Sequence, residues 1–232
     1  MYISFVLVEP KVPENIGAAA RAMKTMGFNR LCLVKPCEYL TGKARWLAHG
    51  SEDILDNAEV FTSLEAALGN NDLVIGTTAR YRISKSEYID LSRLRSFLEE
   101  RHEEYNKIAL VFGREEYGLS NEEMELCDIT STISMAVSYP SLNLAQAVMI
   151  YSYMLSEKTE SGSIHNERGP GNENLRLLKD KIESLLSGTT TGKNKALKGR
   201  IMERLSLAKG KDIRLIHSIT NSLINKYEKG QK

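Results

Sequence analysis

The first 156 residues alternate short apolar runs with segments of helical periodicity, and this alternation limits the possible folds more than any other feature. Five runs have the length and composition of buried strands, and a sixth is weaker: residues 2–9, 30–36, 72–78, 107–113 and 128–135, then 58–61. Helical patterns lie between them at Asn15–Met26, Ser63–Leu68, Leu91–Arg101 and Asn121–Leu126. Because strands that alternate with helices form mostly parallel sheets covered on both faces, the sequence predicts an α/β domain.

The chain changes character after residue 156. Residues 157–174 lose the apolar periodicity, and their content of Gly, Ser, Asn and Glu predicts a linker. Amphipathic helices follow at 175–188 and 212–230, with a third expected around Ala196–Ala208. We therefore divide the chain into an α/β domain (1–156), a linker (157–174) and a helical module (175–232), which is too small to bury much core without docking on a partner.

Charge is divided unevenly between these parts, although the net charge is only +1. Residues 157–232 hold 16 Lys and Arg against 9 Asp and Glu, whereas residues 1–156 hold 15 against 21. A basic tail on an acidic body is typical of a protein with a polyanionic partner, and a solvated helical surface would explain the charge as well.

The lack of long apolar runs and the small number of cysteines indicate the cellular setting. The N-terminal apolar run is too soon interrupted for a signal peptide, and no run approaches the length of a membrane span. Three cysteines, an odd number in a chain of 232 residues, favour reduced thiols. We expect a cytoplasmic protein that does not contact a membrane.

Ligands of open α/β sheets bind beyond the carboxyl ends of the strands, and four loops in those positions carry Gly, Ser, Thr or Asn. None contains the glycine pattern of a dinucleotide-binding fold or a P-loop, and the motifs of α/β-hydrolases and zinc proteases are also missing. The four histidines are scattered, and Cys32 lies within a strand, where packing explains it better than zinc. The sequence therefore predicts neither a hydrolase nor a metal site.

The segment YPSLNLAQAVMIYSYML (139–155) places polar residues directly before an apolar helix. Ser141 or Asn143 can cap that helix by accepting hydrogen bonds from its first free N–H groups. Alternatively, the start of the helix forms a binding site. From Leu144 the helix is apolar on nearly every face, which is more than packing on one face of a sheet requires, and this predicts a further contact.

Three segments in this order resemble the signature motifs of the SpoU-type branch of the SPOUT RNA methyltransferases: PENIGAAARAMKTMG, LVFGREEYGLSNEE and YPSLNLAQAVMIYSYML. The resemblance covers residues 2–155 and is nearest to the TrmJ-like tRNA methyltransferases, while the C-terminal module resembles their helical extension more weakly. It implies a trefoil knot in the C-terminal part of the sheet and a homodimer packed through the helix after Asn143.

The same resemblance implies an activity, the S-adenosylmethionine-dependent methylation of a ribose 2′-hydroxyl in RNA, with S-adenosylhomocysteine as the product. A ribose in the tRNA anticodon loop is the expected target. Methylation of rRNA, and a non-catalytic RNA-binding protein of the same fold, remain as alternatives.

The resemblance also implies roles for individual residues. The cofactor is expected to contact Thr77, Thr78, Ala79, Gly113, Ile133, Pro140, Ser141 and Leu142, with Gly113 allowing close approach of the backbone. Positive charge, and not the resemblance, makes six residues candidates for contacts to RNA phosphates, although surface solubility would explain the first two as well: Arg80, Arg82, Lys193, Lys195, Lys198 and Arg200. The expected catalytic group consists of Arg21, Asn15, Glu115 and Asn143.

Arg21 matches the family's catalytic arginine. We expect it to orient and stabilise the reacting hydroxyl before acting as a base, because a guanidinium is rarely neutral at pH 7. Glu115 is expected to pair with Arg21 or Arg114.

Overall fold

The computed structural model describes residues 1–69, 71–79, 88–137, 141–156 and 173–229. In these residues, the strands are Tyr2–Val8 (β1), Leu31–Val34 (β2), Glu59–Phe61 (β3), Leu73–Thr77 (β4), Tyr88–Asp90 (β5), Lys107–Phe112 (β6) and Ile129–Thr132 (β7). They form one parallel sheet in the order β3-β2-β1-β6-β4-β7-β5. The predicted α/β fold with a parallel sheet is confirmed.

The helices of the described residues are Pro13–Thr25 (α1), Gly42–Ala48 (α2), Glu52–Asp56 (α3), Leu64–Leu68 (α4), Leu91–Glu99 (α5), Asn121–Glu125 (α6), Leu144–Leu155 (α7), Glu173–Ser187 (α8), Thr190–Lys193 (α9), Lys195–Ser206 (α10) and Gly210–Lys229 (α11). Every predicted strand and helix is present. The elements β5, α2, α3 and α9 were not predicted, because they are short and carry little apolar periodicity. None of the described helices combines the length and the apolar character needed to cross a membrane.

Side chains of β1 divide between two helical layers, as the two-residue period of a strand requires. Phe5 and Leu7 point into the larger core, which α1, α5 and α7 cover. Val6 and Val8 point to the opposite face, where α4 and α6 cover a smaller core. Both faces of the sheet are therefore buried, which explains why its strands appear in the sequence as continuous apolar runs.

The C-terminal module docks on the amino-terminal edge of the sheet. Lys179 of α8 donates a 2.7 Å hydrogen bond to Asp128 Oδ1, directly before β7, and a 3.3 Å bond to the Asp72 carbonyl, directly before β4. Ser206 Oγ donates a 3.1 Å hydrogen bond to the same Asp128 oxygen. The backbone carbonyl of Ser206 accepts a hydrogen bond from the buried Tyr105 hydroxyl. The module is too small to bury much core by itself, and the partner on which it docks is the α/β domain of the same chain.

The predicted linker, residues 157–174, lies outside the described residues except at its end. Helix α8 begins at Glu173. The helical pattern therefore extends two residues further back than the sequence indicated.

Candidate active site

A cavity of about 160 Å³ opens at the carboxyl ends of three neighbouring strands, β6, β4 and β7. Because these strands are parallel and adjacent, the segments that follow them meet at one edge of the sheet. Thr77 Oγ1 donates a 2.9 Å hydrogen bond to the Val111 carbonyl, and the Thr78 N–H donates a 3.0 Å bond to the Ser131 carbonyl. These bonds fix the end of β4 to both neighbouring strands beneath the cavity.

The cavity brings together most of the residues that the sequence assigned to a cofactor. Seven of the eight line it: Thr77, Thr78, Ala79, Gly113, Ile133, Ser141 and Leu142. The eighth, Pro140, lies outside the described residues, as do Arg80 and Arg82. Of the expected catalytic residues, Glu115 and Asn143 also line the cavity.

Gly113 begins a tight loop in which residues 114 and 118 pair across an antiparallel bridge. A Cβ atom on Gly113 would lie 2.0 Å from the Gly118 carbonyl carbon and 2.1 Å from the Leu119 nitrogen. Gly118 itself has a φ of +70°, which glycine adopts without steric cost. The close approach that requires glycine at position 113 is therefore to the backbone of its own loop.

Glu115 connects this loop to α1. Its Oε1 accepts a 3.0 Å hydrogen bond from Asn15 Nδ2, and its Oε2 accepts a 3.3 Å bond from the Lys11 N–H. Within one chain Glu115 therefore pairs with neither Arg21 nor Arg114, because α1 presents Asn15 to this carboxylate and Arg114 bonds Glu123 and Glu9. Asn15, which does not line the cavity, is thereby one hydrogen bond away from it.

Arg114 is held between two carboxylates. Its Nη1 and Nη2 each donate a 2.9 Å hydrogen bond to Glu123, and its Nε donates a 2.9 Å bond to Glu9. The hydrogen bonds to Glu123 and then to Glu9 raise the pKa of Arg114, while the bond to Arg114 lowers the pKa of Glu9. Glu9 has a φ of +45°, an uncommon conformation for a residue other than glycine. The chain thus accepts backbone strain at the end of β1 in the place where Glu9 holds Arg114.

Asn143 caps α7. Its Oδ1 accepts a 2.7 Å hydrogen bond from the Gln146 N–H, and Gln146 Oε1 accepts a 3.0 Å bond from the Asn143 N–H, which completes a capping box. Asn143 therefore both caps the helix and lines the cavity, whereas Ser141 lines the cavity without capping. The two interpretations of this segment are compatible.

The cavity also has lining residues that the motifs did not single out: Phe112, Arg114, Glu116, Tyr117, Gly118, Met135, Leu144, Ala147 and Tyr151. Phe112 and Tyr151 meet edge to face with ring centroids 5.4 Å apart. Burial raises the pKa of Tyr151, while the neighbouring Ser131 hydroxyl opposes this shift. Eight of these nine residues lie within the second and third sequence motifs, and that position was the available signal; Met135 is the exception.

Arg21 lies outside this cavity. It projects from the exposed face of α1, whose opposite face is buried. Its side chain makes no hydrogen bond or ion pair with the described residues. Within one chain, Glu115 and Asn143 therefore line the cavity and Asn15 contacts Glu115, whereas Arg21 lies apart from all three.

Four of the six basic residues expected to bind RNA lie on the short helix α9 and on α10. Lys193, Lys195 and Arg200 are exposed, while Lys198 forms an ion pair with Glu183. Lys195 contributes, after hydrogen bonds from the backbone and Ser120, to lowering the pKa of Glu122 on α6. In the described part of the chain, no cluster of three or more His, Cys, Asp or Glu residues could hold a metal ion.

The sequence profile of the SpoU rRNA Methylase family matches residues 2–153. The chain belongs to the SpoU family. A second profile, for the C-terminal domain of the tRNA/rRNA methyltransferase LasT, matches residues 172–227.

Individual relatives resemble the chain over most of its length. An uncharacterized tRNA/rRNA methyltransferase LasT of Escherichia coli K12 is 39% identical over 223 residues, which cover 96% of this chain and 97% of the relative. The tRNA (cytidine/uridine-2′-O-)-methyltransferase TrmJ of Klebsiella pneumoniae is 36% identical over 197 residues, 81% of this chain and 80% of that protein. The crystal structure of TrmJ from Z. mobilis ZM4 superposes with a TM-score of 0.71 at 25% identity, covering 96% of this chain and 99% of the other. The resemblance drawn from the sequence motifs is confirmed.

Proposed function

We propose that this member of the SpoU family is an S-adenosylmethionine-dependent methyltransferase that modifies a ribose 2′-hydroxyl of tRNA. The observation that carries the proposal is the cavity at the ends of β6, β4 and β7, which gathers the second and third sequence motifs. The Asn15–Glu115 hydrogen bond joins the first motif to it. The K. pneumoniae relative, a tRNA 2′-O-methyltransferase by name, supports the same activity and an anticodon-loop target remains our expectation. A protein that acts on tRNA would work in the cytoplasm.

The lining of the cavity suits the proposed cofactor. Ile133, Leu142 and Met135 offer apolar surface to the adenine ring, and Thr77 and Thr78 offer polar groups to the methionine end. Glu115 also lines the cavity, and its carboxylate, which accepts hydrogen bonds only from uncharged N–H groups of the described residues, favours a positively charged ligand. Once bound, S-adenosylmethionine supplies a methyl group made electrophilic by its sulfonium centre, so the proposal requires no metal.

The protein's task is to prepare the ribose hydroxyl. Transfer of the methyl group to the 2′-oxygen would leave S-adenosylhomocysteine, and the hydroxyl proton would pass to water. A fixed cation stabilises the negative charge that develops on this oxygen. Arg21 is the proposed cation, because its planar guanidinium can hold an adjacent phosphate while it faces the hydroxyl.

The position of Arg21 supports a homodimer in which this residue serves the cavity of a second copy. In one chain Arg21 is exposed, unpaired among the described residues and outside the cavity. Helix α7, which packs beside α1, exposes Met149 (39%) and Tyr153 (52%) on one face. Large apolar side chains at this spacing favour packing against another copy through α7 and α1.

The strand order supports the trefoil knot. Strand β7 lies between β4 and β5, so a strand formed later in the chain is inserted between two earlier ones. After β7 the chain continues to α7, which packs on α1 and α5. We propose that the sheet is knotted at this point, as the resemblance to the family implies.

For the C-terminal module we propose binding to RNA phosphates through Lys193, Lys195 and Arg200, with a smaller part for Lys198 because of its ion pair with Glu183. Changing the three exposed residues to Gln would reduce the slope of tRNA affinity against salt concentration, since fewer counterions are released. Cofactor affinity would stay unchanged. An unaltered slope would exclude these contacts.

A direct assay tests the proposed activity. The purified protein is incubated with isotopically labelled S-adenosylmethionine and with tRNA or rRNA from cells lacking its gene, and the 2′-O-methylated nucleosides are measured by mass spectrometry. Label in tRNA alone is the expected result. Label in rRNA alone would favour the second candidate, methylation of rRNA, which the name of the SpoU rRNA Methylase family also suggests. Binding of RNA without label in either would indicate a non-catalytic RNA-binding protein.

A further inference from the structure

Helix α11 carries an exposed stripe of apolar side chains. Leu215 is 65% exposed, Ile219 61% and Leu223 44%. About 110° around the helix from the centre of this stripe, Ile213 and Thr220 are buried where α11 packs on α8. The helix therefore has two apolar faces, and the described chain covers one of them.

Two opposite charges extend this stripe, with Asp212 at one end and Lys226 at the other, both exposed. At 3.6 residues per turn, the five positions of the stripe lie within about 80° of the helix circumference. Neither Asp212 nor Lys226 forms a side-chain hydrogen bond or ion pair with the described residues. Both charges are thus available to a partner.

The stripe has the same spacing in both directions. The steps between successive members, from Asp212 through Leu215, Ile219 and Leu223 to Lys226, are three, four, four and three residues. When a second copy of α11 is laid antiparallel with Ile219 facing Ile219, Leu215 therefore faces Leu223 and Asp212 faces Lys226. A contact of this kind is self-complementary, as a two-fold axis requires.

We propose that α11 pairs antiparallel with α11 of a second copy of this chain, with the two-fold axis passing beside Ile219. The end charges decide the direction. An antiparallel pair forms two Asp212–Lys226 contacts, whereas a parallel pair would place Asp212 opposite Asp212 and Lys226 opposite Lys226. The interface is separate from the one proposed for α7, and it does not depend on the enzymatic activity.

The pair is small. Its stripe spans about four helical turns, and a stable protein interface buries roughly 1,000 Å² or more. We expect weak association through α11 alone, so covalent trapping tests the proposal better than gel filtration. Ile219→Cys is the principal variant, in a Cys37→Ser background because Cys37 is the partly exposed native thiol, while Cys32 and Cys127 are buried.

A short bismaleimide should link Ile219→Cys chains in pairs. Ser222→Cys, which lies exposed beside the stripe, is the matched control and should be linked at least tenfold more slowly. Leu215→Cys and Leu223→Cys should each be linked poorly, whereas the chain that carries both should be linked as efficiently as Ile219→Cys. This pattern distinguishes an antiparallel pair from a parallel one.

Charge variants supply an independent measurement. In the Ile219→Cys chain, Asp212→Lys should slow linking about tenfold, and the further change Lys226→Asp should restore it. Equal linking of Ile219→Cys and Ser222→Cys would overturn the proposal and assign the stripe to a partner of different sequence. Efficient linking of Leu215→Cys alone would overturn the antiparallel arrangement.

Discussion

Asn15 Nδ2 donates a hydrogen bond of 3.0 Å to Glu115 Oε1 and so joins the first turn of α1 to the loop that follows β6. The two residues are 100 positions apart in the sequence and belong to different family motifs. The Lys11 N–H holds the other oxygen of the same carboxylate. Glu115 therefore reaches the cavity with its orientation set by α1.

This relationship predicts energetic coupling between the two side chains. Asn15→Ala and Glu115→Ala should each slow single-turnover methylation, and the double variant should be little slower than the slower single one. A hydrogen bond to a charged group contributes about 1.5–3 kcal/mol, which sets the scale of the coupling. Purely additive effects in the double-mutant cycle would show that the bond does not serve the reaction.

If the proposed homodimer forms, Arg21 should act at the cavity of the second copy. Arg21→Ala is expected to lower the single-turnover rate about 10²–10³-fold without changing cofactor affinity, and Arg21→Lys should recover little. A heterodimer of Arg21→Ala with Glu115→Ala should regain activity, because one intact cavity then receives one intact arginine. Lys24→Ala, on the same helix, is the control and should keep its rate. A heterodimer as inactive as its parents would place Arg21 at the cavity of its own chain.

Gly113→Ala should destabilise the fold itself. The added Cβ would lie 2.0 Å from backbone atoms that cannot move without opening the 114–118 loop. Overpacking of this kind costs roughly 1–3 kcal/mol, measurable by urea unfolding. Gly42→Ala is the matched control, since a Cβ there meets nothing within 4 Å. Equal stability of the two variants would contradict the geometry of the loop.

Lys179→Met should undock the C-terminal module. It leaves Asp128, which lies at the amino end of β7, without its cationic partner, and breaking a buried ion pair from one side costs about 3–5 kcal/mol. The double variant Lys179→Met/Asp128→Asn should be more stable than Lys179→Met. Lys181→Met, whose exposed ammonium bonds Asn221, serves as control. Protease cleavage within α8–α11 and the unfolding free energy are the measurements.

Glu9 should make stability depend on acid pH. The Arg114 hydrogen bond lowers the pKa of Glu9 when folded, so its stabilising contribution is complete above the unfolded pKa of about 4.3. That contribution is lost as the pH falls through the lower folded pKa. The unfolding free energies of wild type and Glu9→Gln should therefore converge as the pH decreases below this range. Urea unfolding at pH values on both sides of about 4.3 is the measurement, and a difference between the two proteins that stays constant would contradict the prediction.

The elements that could be predicted from the sequence are those with strong apolar periodicity. Helix α7 begins at Leu144 and ends at Leu155 as expected, because its apolar run and its Asn143 cap mark both the interior and the start. Strand β5 and helix α3 have few buried residues and no such pattern. Their structure depends on neighbours that are distant in the sequence.

Site residues could be recognised by their motifs, but their contacts could not. The motifs place Glu115 near Arg114 in the chain, and only the fold brings Asn15 to Glu115 and Glu9 to Arg114. A left-handed conformation at Glu9 is also invisible in a sequence, because that residue type rarely adopts it. The requirement for glycine at position 113 was recognised, while the atoms responsible were not.

The strand order has a consequence for how the chain is assembled during synthesis. Among the described strands, β4 pairs with β6 and β7, and β5 pairs with β7. A ribosome releases both β4 and β5 before either partner exists, so the half-made protein can complete the sheet from β3 to β1 and no further. Strand β7 must then insert between β4 and β5, which were synthesised before it. Such late, long-range pairing is slow, and until it occurs the unpaired edges of β1, β4 and β5 are exposed on the nascent chain to chaperones or to aggregation.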